Sequence, residues 1–231
     1  EEGGPATISK LVMGGGGGGG PKFPRAVASI STGSSYKVYL VIDENPDKIM
    51  RISSTGDLED SFHIGHQMAQ DVESMTALDG YLYVINNGGT KQLYKIDPST
   101  QAVVAGYPMN LPGYLQDIGG LTNDGTDLIA AERWNDNVHY INPATGDVFN
   151  SFPVNVPWSQ SQTQSSLFPP GGVDGVAYIE PGTSGDEYLL AVKFPQYFKI
   201  SLNGEILEII DVSEPPPFDY TGITQHSSTV M

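Results

Sequence analysis

The chain has 231 residues, with 11 Lys and Arg against 27 Asp and Glu, and a net charge of −16. A field of that sign repels phosphates, which argues against nucleic acid as a partner and leaves cations and basic surfaces as candidates. The absence of cysteine excludes disulfides, a thiolate nucleophile and Cys-ligated zinc, and no apolar run approaches the ~18 residues that a membrane-inserted helix requires.

The opening "EEGGPATISK" lacks the basic and apolar segments of a secretory leader, so the expectation is a chain that is mature, truncated or never targeted. Residues 14–20 are seven consecutive glycines. Such a run loses too much backbone entropy on ordering to fold alone, so residues 1–21 are expected to be a low-complexity or linker segment and 22–231 the folded domain.

From Arg25 onward the pattern is one of short apolar strands separated by Gly, Pro, Asn and Asp, with almost no helical periodicity. Four hairpins share one design: "KIMRISSTGDLEDSF" at 48–62, "QLYKIDPSTQAVV" at 92–104, "VHYINPATGDVF" at 138–149 and "YFKISLNGEILEII" at 197–210. Their isoleucines, Ile52, Ile96, Ile141 and Ile200, recur at intervals of 44, 45 and 59 residues. The long third interval is explained by the insertion "NVPWSQSQTQSSLFPPGG" at 155–172. Before each hairpin stands an apolar strand ("KVYLVID", "GYLYVIN", "TDLIAAE", "EYLLAVK"), and before that another ("AVASISTGSS", "ESMTALDG", "GGLTNDG", "DGVAYIEPG").

The unit is therefore four strands, here A to D, repeated about every 45 residues. A β-sandwich also supplies many short strands but not this fourfold similarity. The predicted fold is all-β, a β-propeller with four recognisable four-stranded blades at about 25–65, 71–109, 117–154 and 173–212, followed by a single extra strand at 220–230. Gly56, Gly146 and Gly204 fall where these hairpins need positive φ.

"DGYLYVINNGGTKQLYKIDPST" and "NDGTDLIAAERWNDNVHYINPATGDV" resemble the blades of the YVTN, NHL and glutamine-cyclotransferase-like propellers. "DVESMTALDG" is similar to the strand entry of SdiA-regulated and esterase-like propellers, with Ser74 where those have glycine. Propellers of these types usually have five to eight blades, so the resemblance implies that four blades and one strand are a fragment of a larger ring, the alternative being an unusually small ring. It is specific for architecture and weak for function, because such blades carry enzymes and binding modules alike.

In a propeller the A strands line the central channel, and the B–C turns and A-strand entries share one face. Aligning Met75, Leu121, Val176 and Ile223 places Glu73, Gly119, Asp174 and Thr221 in one register. Glu73 and Asp174 are thus the candidate metal ligands, for a hard cation such as Ca2+, with Asn86 and Asn87 available to add amide oxygens. This set resembles the metal site of regucalcin–gluconolactonase propellers, which implies hydrolysis of an ester or lactone through metal-bound water. "ERWND" at 132–136 is the densest turn chemically, and Trp and Arg are residues of interface hot spots. Arg133 and Trp134, together with Trp158 in the insertion, are the candidate binding residues and are expected to form one exposed patch. The four histidines, His63, His66, His139 and His226, lack a partner cluster in the sequence and read as packing residues, His139 being the counterpart of Met50, Tyr94 and Phe198.

No complete catalytic set is visible. The functional expectation is an extracellular or cell-surface module that binds a protein or carbohydrate on its loop-rich face, with assembly with other chains also open. The alternative is a metal-dependent hydrolase or lactonase with its cation at the channel mouth.

Overall fold

The computed structural model describes residues 24–33, 35–42, 47–63, 71–154, 173–180, 187–193 and 196–211. The expected linker at 1–21, the insertion with Trp158, the extra strand at 220–230, His66 and His226 lie outside the described residues.

Every regular element among the described residues is a strand. The first blade is β1 (Pro24–Ser31), β2 (Tyr36–Ile42), β3 (Lys48–Ser53) and β4 (Leu58–His63), hydrogen-bonded in that order. The second is β5 (Val72–Leu78), β6 (Tyr81–Asn86) and β7 (Gln92–Asp97), with the outer strand divided into β8 (Ala102–Val103) and β9 (Met109–Asn110), both paired with β7. The third comprises β10 (Ile118–Asn123), β11 (Leu128–Glu132), β12 (Asn137–Ile141) and β13 (Val148–Pro153). The fourth comprises β14 (Gly175–Ile179), β15 (Tyr188–Lys193), β16 (Gln196–Ile200) and β17 (Ile206–Asp211). All pairings are antiparallel, and the protein is a β-propeller of four blades. The inner strands pack in chain order, β1 on β5, β5 on β10 and β10 on β14.

The second strands of the blades, such as β6 and β11, read as nearly continuous apolar runs because both of their faces are buried against neighbours. In β6, Leu82 and Val84 join the core shared with the first blade, while Tyr83 and Ile85 join the core shared with the third. In β11, Leu128 and Ala130 face the second blade, and Ile129 and Ala131 face the fourth. Period-2 alternation thus sorts each strand between two cores instead of between core and water. Burying one such aliphatic side chain contributes about 1.5–3 kcal/mol, so the interfaces between blades hold the fold together. A fourth cluster, Val38, Leu40, Ile42 and Ile52, belongs to the first blade alone.

The repeated hairpins end on the expected glycines. Gly56, Gly146 and Gly204 have φ of +89°, +75° and +91°, and each donates its N–H back to the start of its turn, at Ser53, Asn142 and Ser201. In the second blade Gln101 takes this conformation, with φ of +59°. Asp97 and Asn142 brace their turns by accepting N–H bonds two residues on, from Ser99 and Ala144. The first and fourth hairpins lack that Asp/Asn, and the hydroxyls of Ser53 and Ser201 take over by accepting from the N–H of Asp57 and Glu205. Four different sequences therefore close one turn by equivalent side-chain-to-backbone bonds.

Gly204 carries a second demand. A Cβ there would lie 2.6 Å from Phe152 Cδ2 and 2.9 Å from the Pro153 carbonyl, so the fourth hairpin packs directly on β13 of the third blade. Nothing lies within 4 Å of a Cβ built at Gly56. Gly56→Ala should cost only the positive-φ penalty, about 1–2 kcal/mol. Gly204→Ala should cost clearly more, because Phe152 must also move. Urea unfolding of the two variants checks this, and equal losses would deny the interblade contact.

Candidate functional site

The A-strand entries of the blades converge on a network of ion pairs. Arg25 comes from β1, Asp71 from just before β5 and Glu73 from its start, Asp117 from just before β10 and Asp174 from just before β14. Arg133 reaches them from the turn between β11 and β12. Arg25 Nη1 lies 2.7 Å from Glu73 Oε1 and 3.4 Å from Asp71 Oδ1. Arg133 donates through Nη1 to Glu73 Oε2, lies 3.6 Å from Asp117 Oδ1, and places Nε 3.2 Å from Asp174 Oδ1. One guanidinium thereby joins carboxylates of the second, third and fourth blades.

The electrostatics follow from the geometry. Burial alone would push the Arg133 pKa down, but the charges of Glu73, Asp117 and Asp174 outweigh it, and the pKa is raised. The guanidinium stays charged and its planar fork suits several carboxylates at once. Space for it is provided by Gly119. A Cβ at that position would sit 2.6 Å from Arg133 Nε and 2.6 Å from the Asp174 carbonyl oxygen. At the next residue, Gly120, a Cβ would lie 2.6 Å from Val176 N, so β10 and β14 approach closely along this glycine pair.

The B–C turns latch each blade to the next. Asp47, buried at the end of the first blade's turn, accepts the Val72 N–H at 2.8 Å. Asn87 forms a two-way bond with the main chain of Ile118, accepting its N–H at 3.1 Å and donating to its carbonyl at 2.9 Å. Arg133 fills the same role in the third blade, toward Asp174.

The structure therefore sorts the sequence-derived candidates. Glu73 and Asp174 do converge, as their common register implied, and the group between them is the Arg133 guanidinium. Among the described residues no group of three or more His, Asp or Glu side chains is arranged to hold a metal ion. Asn86 and Asn87 are buried, Asn86 accepting the Gly88 N–H and Asn87 holding Ile118, so their amides serve the turn and the interblade latch instead of an exposed surface. Arg133 and Trp134 part company. Arg133 points inward, while Trp134 is 60% exposed. Adjacent turn residues diverge because one satisfies three buried-side carboxylates and the other has no core to enter.

His139 is buried at the packing position expected of it, but it is not an apolar substitute. Its Nε2 lies 3.1 Å from Glu132 Oε2 and its Nδ1 lies 2.8 Å from Ser151 Oγ. Sequence reasoning missed this set. Its signal was the polar residue at a position filled by Met50, Tyr94 and Phe198 in the other blades.

No protein-family model matches the chain. No curated protein matches it either. Solved structures do. The chain is similar to Kuenenia stuttgartiensis hydrazine synthase, with a TM-score of 0.53 and 12% identity over 82% of this chain and 49% of that one. A protein of unknown function from Bacteroides caccae gives 0.54 and 12% over 82% and 61%. Myxococcus xanthus glutaminyl cyclase gives 0.53 and 20% over 84% and 75%. At these identities the likeness establishes the propeller fold alone, and the chain spans about half to three-fifths of the length of the first two.

If Gly119 is kept free for Arg133, then Gly119→Ala should destabilise by about 1–3 kcal/mol, as overpacking does, and should do so less once Arg133 is shortened to Met. Additive losses in urea unfolding of the double variant would show that the two positions are independent.

Proposed function

We propose that this propeller is a binding module that acts outside the cell or at its surface, engaging a protein or carbohydrate on its loop-rich face. Trp134 carries the reading. A large aromatic ring 60% exposed at the tip of a tight turn is a residue type enriched in binding hot spots. The turn is held from beneath. Arg133 is anchored by its ion pairs, the Val154 N–H donates to the Asp136 carbonyl at 2.6 Å, and Asn135 donates to Glu132. A flat ring on a fixed support loses little entropy on binding, and it suits either a sugar face or a protein pocket.

The rest of the face supports this reading. The turns "DENPD", "NNGGT", "ERWND" and "KFPQ" share almost nothing, while the strands beside them stay alike. Constant scaffold with varied tips is the usual construction of recognition surfaces. Strong negative charge disfavours nucleic acid and anionic surfaces as the partner. The hydrolase reading draws on Glu73 and Asp174, and both are engaged by Arg133, which favours binding over metal chemistry at the channel mouth.

The test compares the parent protein with Trp134→Ala on an array of immobilised glycans and in affinity measurements on each glycan or protein ligand found. The variant should melt with the parent and bind about 30-fold more weakly, the ~2 kcal/mol of a hot-spot residue. Undiminished binding by the variant would overturn the reading.

A further inference from the structure

Blade three buries a carboxylate and an imidazole where the first blade has apolar side chains. In the first blade the corresponding positions are Ile42 at the end of β2, Met50 at the centre of β3 and Ser61 opposite it on β4. In the third they are Glu132 at the end of β11, His139 at the centre of β12 and Ser151 opposite it on β13. Glu132 is 1% exposed and His139 3% exposed. Exchanging an apolar pair for an ionisable one at such depth is costly unless every polar atom finds a partner.

The partners are present, and they order the proton. Glu132 Oε1 accepts the Gln116 N–H at 2.9 Å and the Asn135 Nδ2–H at 3.2 Å, leaving Oε2 for His139 Nε2 at 3.1 Å. A carboxylate acting only as acceptor places the ring proton on Nε2. Nδ1 then presents its lone pair to the Ser151 hydroxyl 2.8 Å away. Ser151 is exposed, so the buried pair ends on one hydroxyl that solvent and small molecules reach. The 59% exposed Tyr114 ring stands beside the imidazole, with centroids 6.4 Å apart.

We propose that Ser151 is a nucleophile, with His139 as its general base and Glu132 as the group that fixes the imidazole tautomer, and that it accepts an acyl group from a small ester. The logic is that of an acid–histidine–serine relay with the two ring nitrogens exchanged. Ser151 Oγ forms a bond to the acyl carbon as the bond from that carbon to the ester oxygen breaks. The hydroxyl proton passes to His139 Nδ1 and from there to the departing alkoxide. Water then cleaves the acyl-serine by the same path in reverse, releasing the acid and restoring the hydroxyl. Tyr114 offers an aromatic wall for an aryl or acyl group. The set adjoins the turn that presents Trp134, since Asn135 of that turn holds Glu132.

A fluorophosphonate probe tests this on the intact protein. Its phosphorus takes the place of the acyl carbon, Oγ–P forms, P–F breaks, and the proton leaves with fluoride. Peptide mapping should place the adduct on Ser151 and leave Ser61, its counterpart opposite Met50, unmodified. Ser151→Ala should abolish the adduct, and His139→Gln, where folded by its melting curve, should slow labelling about 100-fold or more. No adduct on Ser151, equal labelling of Ser61 and Ser151, or an unchanged rate in folded His139→Gln would overturn the proposal. Ser99, exposed like Ser151 but bonded to Asp97 instead of an imidazole, should also stay unmodified, and that comparison needs no variant, so it stands even if His139→Gln fails to fold.

Discussion

The Arg133 guanidinium ties together carboxylates of three successive blades. Glu73, Asp117 and Asp174 stand at the entries of successive inner strands, where the propeller brings them together whatever their identity. Carboxylates in partial burial repel one another, and cations among them offset that repulsion; Arg25 meets Asp71 and Glu73 from the first blade. Arg133 does so for Glu73, Asp117 and Asp174, and Gly119 leaves the room for it. The same place in earlier blades is served by latches to the main chain, Asp47 on Val72 and Asn87 on Ile118. The turns at this face therefore have two jobs, to hold the next blade from below and to display side chains above.

Much of this architecture was legible in the sequence. The isoleucine spacing located four hairpins, and three glycines marked their positive-φ corners. The inner-strand alignment correctly put Glu73, Gly119 and Asp174 in one register, because a period-2 strand fixes which residues share a level. The partner of those acids was not legible. Arg133 and Trp134 are adjacent, both suit recognition by type, and nothing in composition says that one folds inward. The direction is set by charges 60 residues away in the chain, at Glu73.

The Glu132, His139 and Ser151 set was hidden for a related reason. His139 and Ser151 meet across a strand pair whose register shifts between Tyr140 and Ile141, so their contact cannot be counted from the hairpin length alone. Asn87 was misleading in another way. An asparagine in a channel-face turn suggests a ligand, yet its amide copies a peptide group and pairs with Ile118 like an added rung of sheet. Buried amides of this kind specify the approach of two blades where apolar contact alone is non-directional.

Arg133 couples blades and is not a free recognition group. A double-mutant cycle in urea unfolding, with Arg133→Met, Glu73→Gln and the pair, measures that coupling directly. The expected coupling energy is about 1–3 kcal/mol, with Arg133→Met alone the more damaging because it removes the guanidinium shared by Glu73, Asp117 and Asp174. Coupling near zero, with Arg133→Met as stable as the parent, would contradict it.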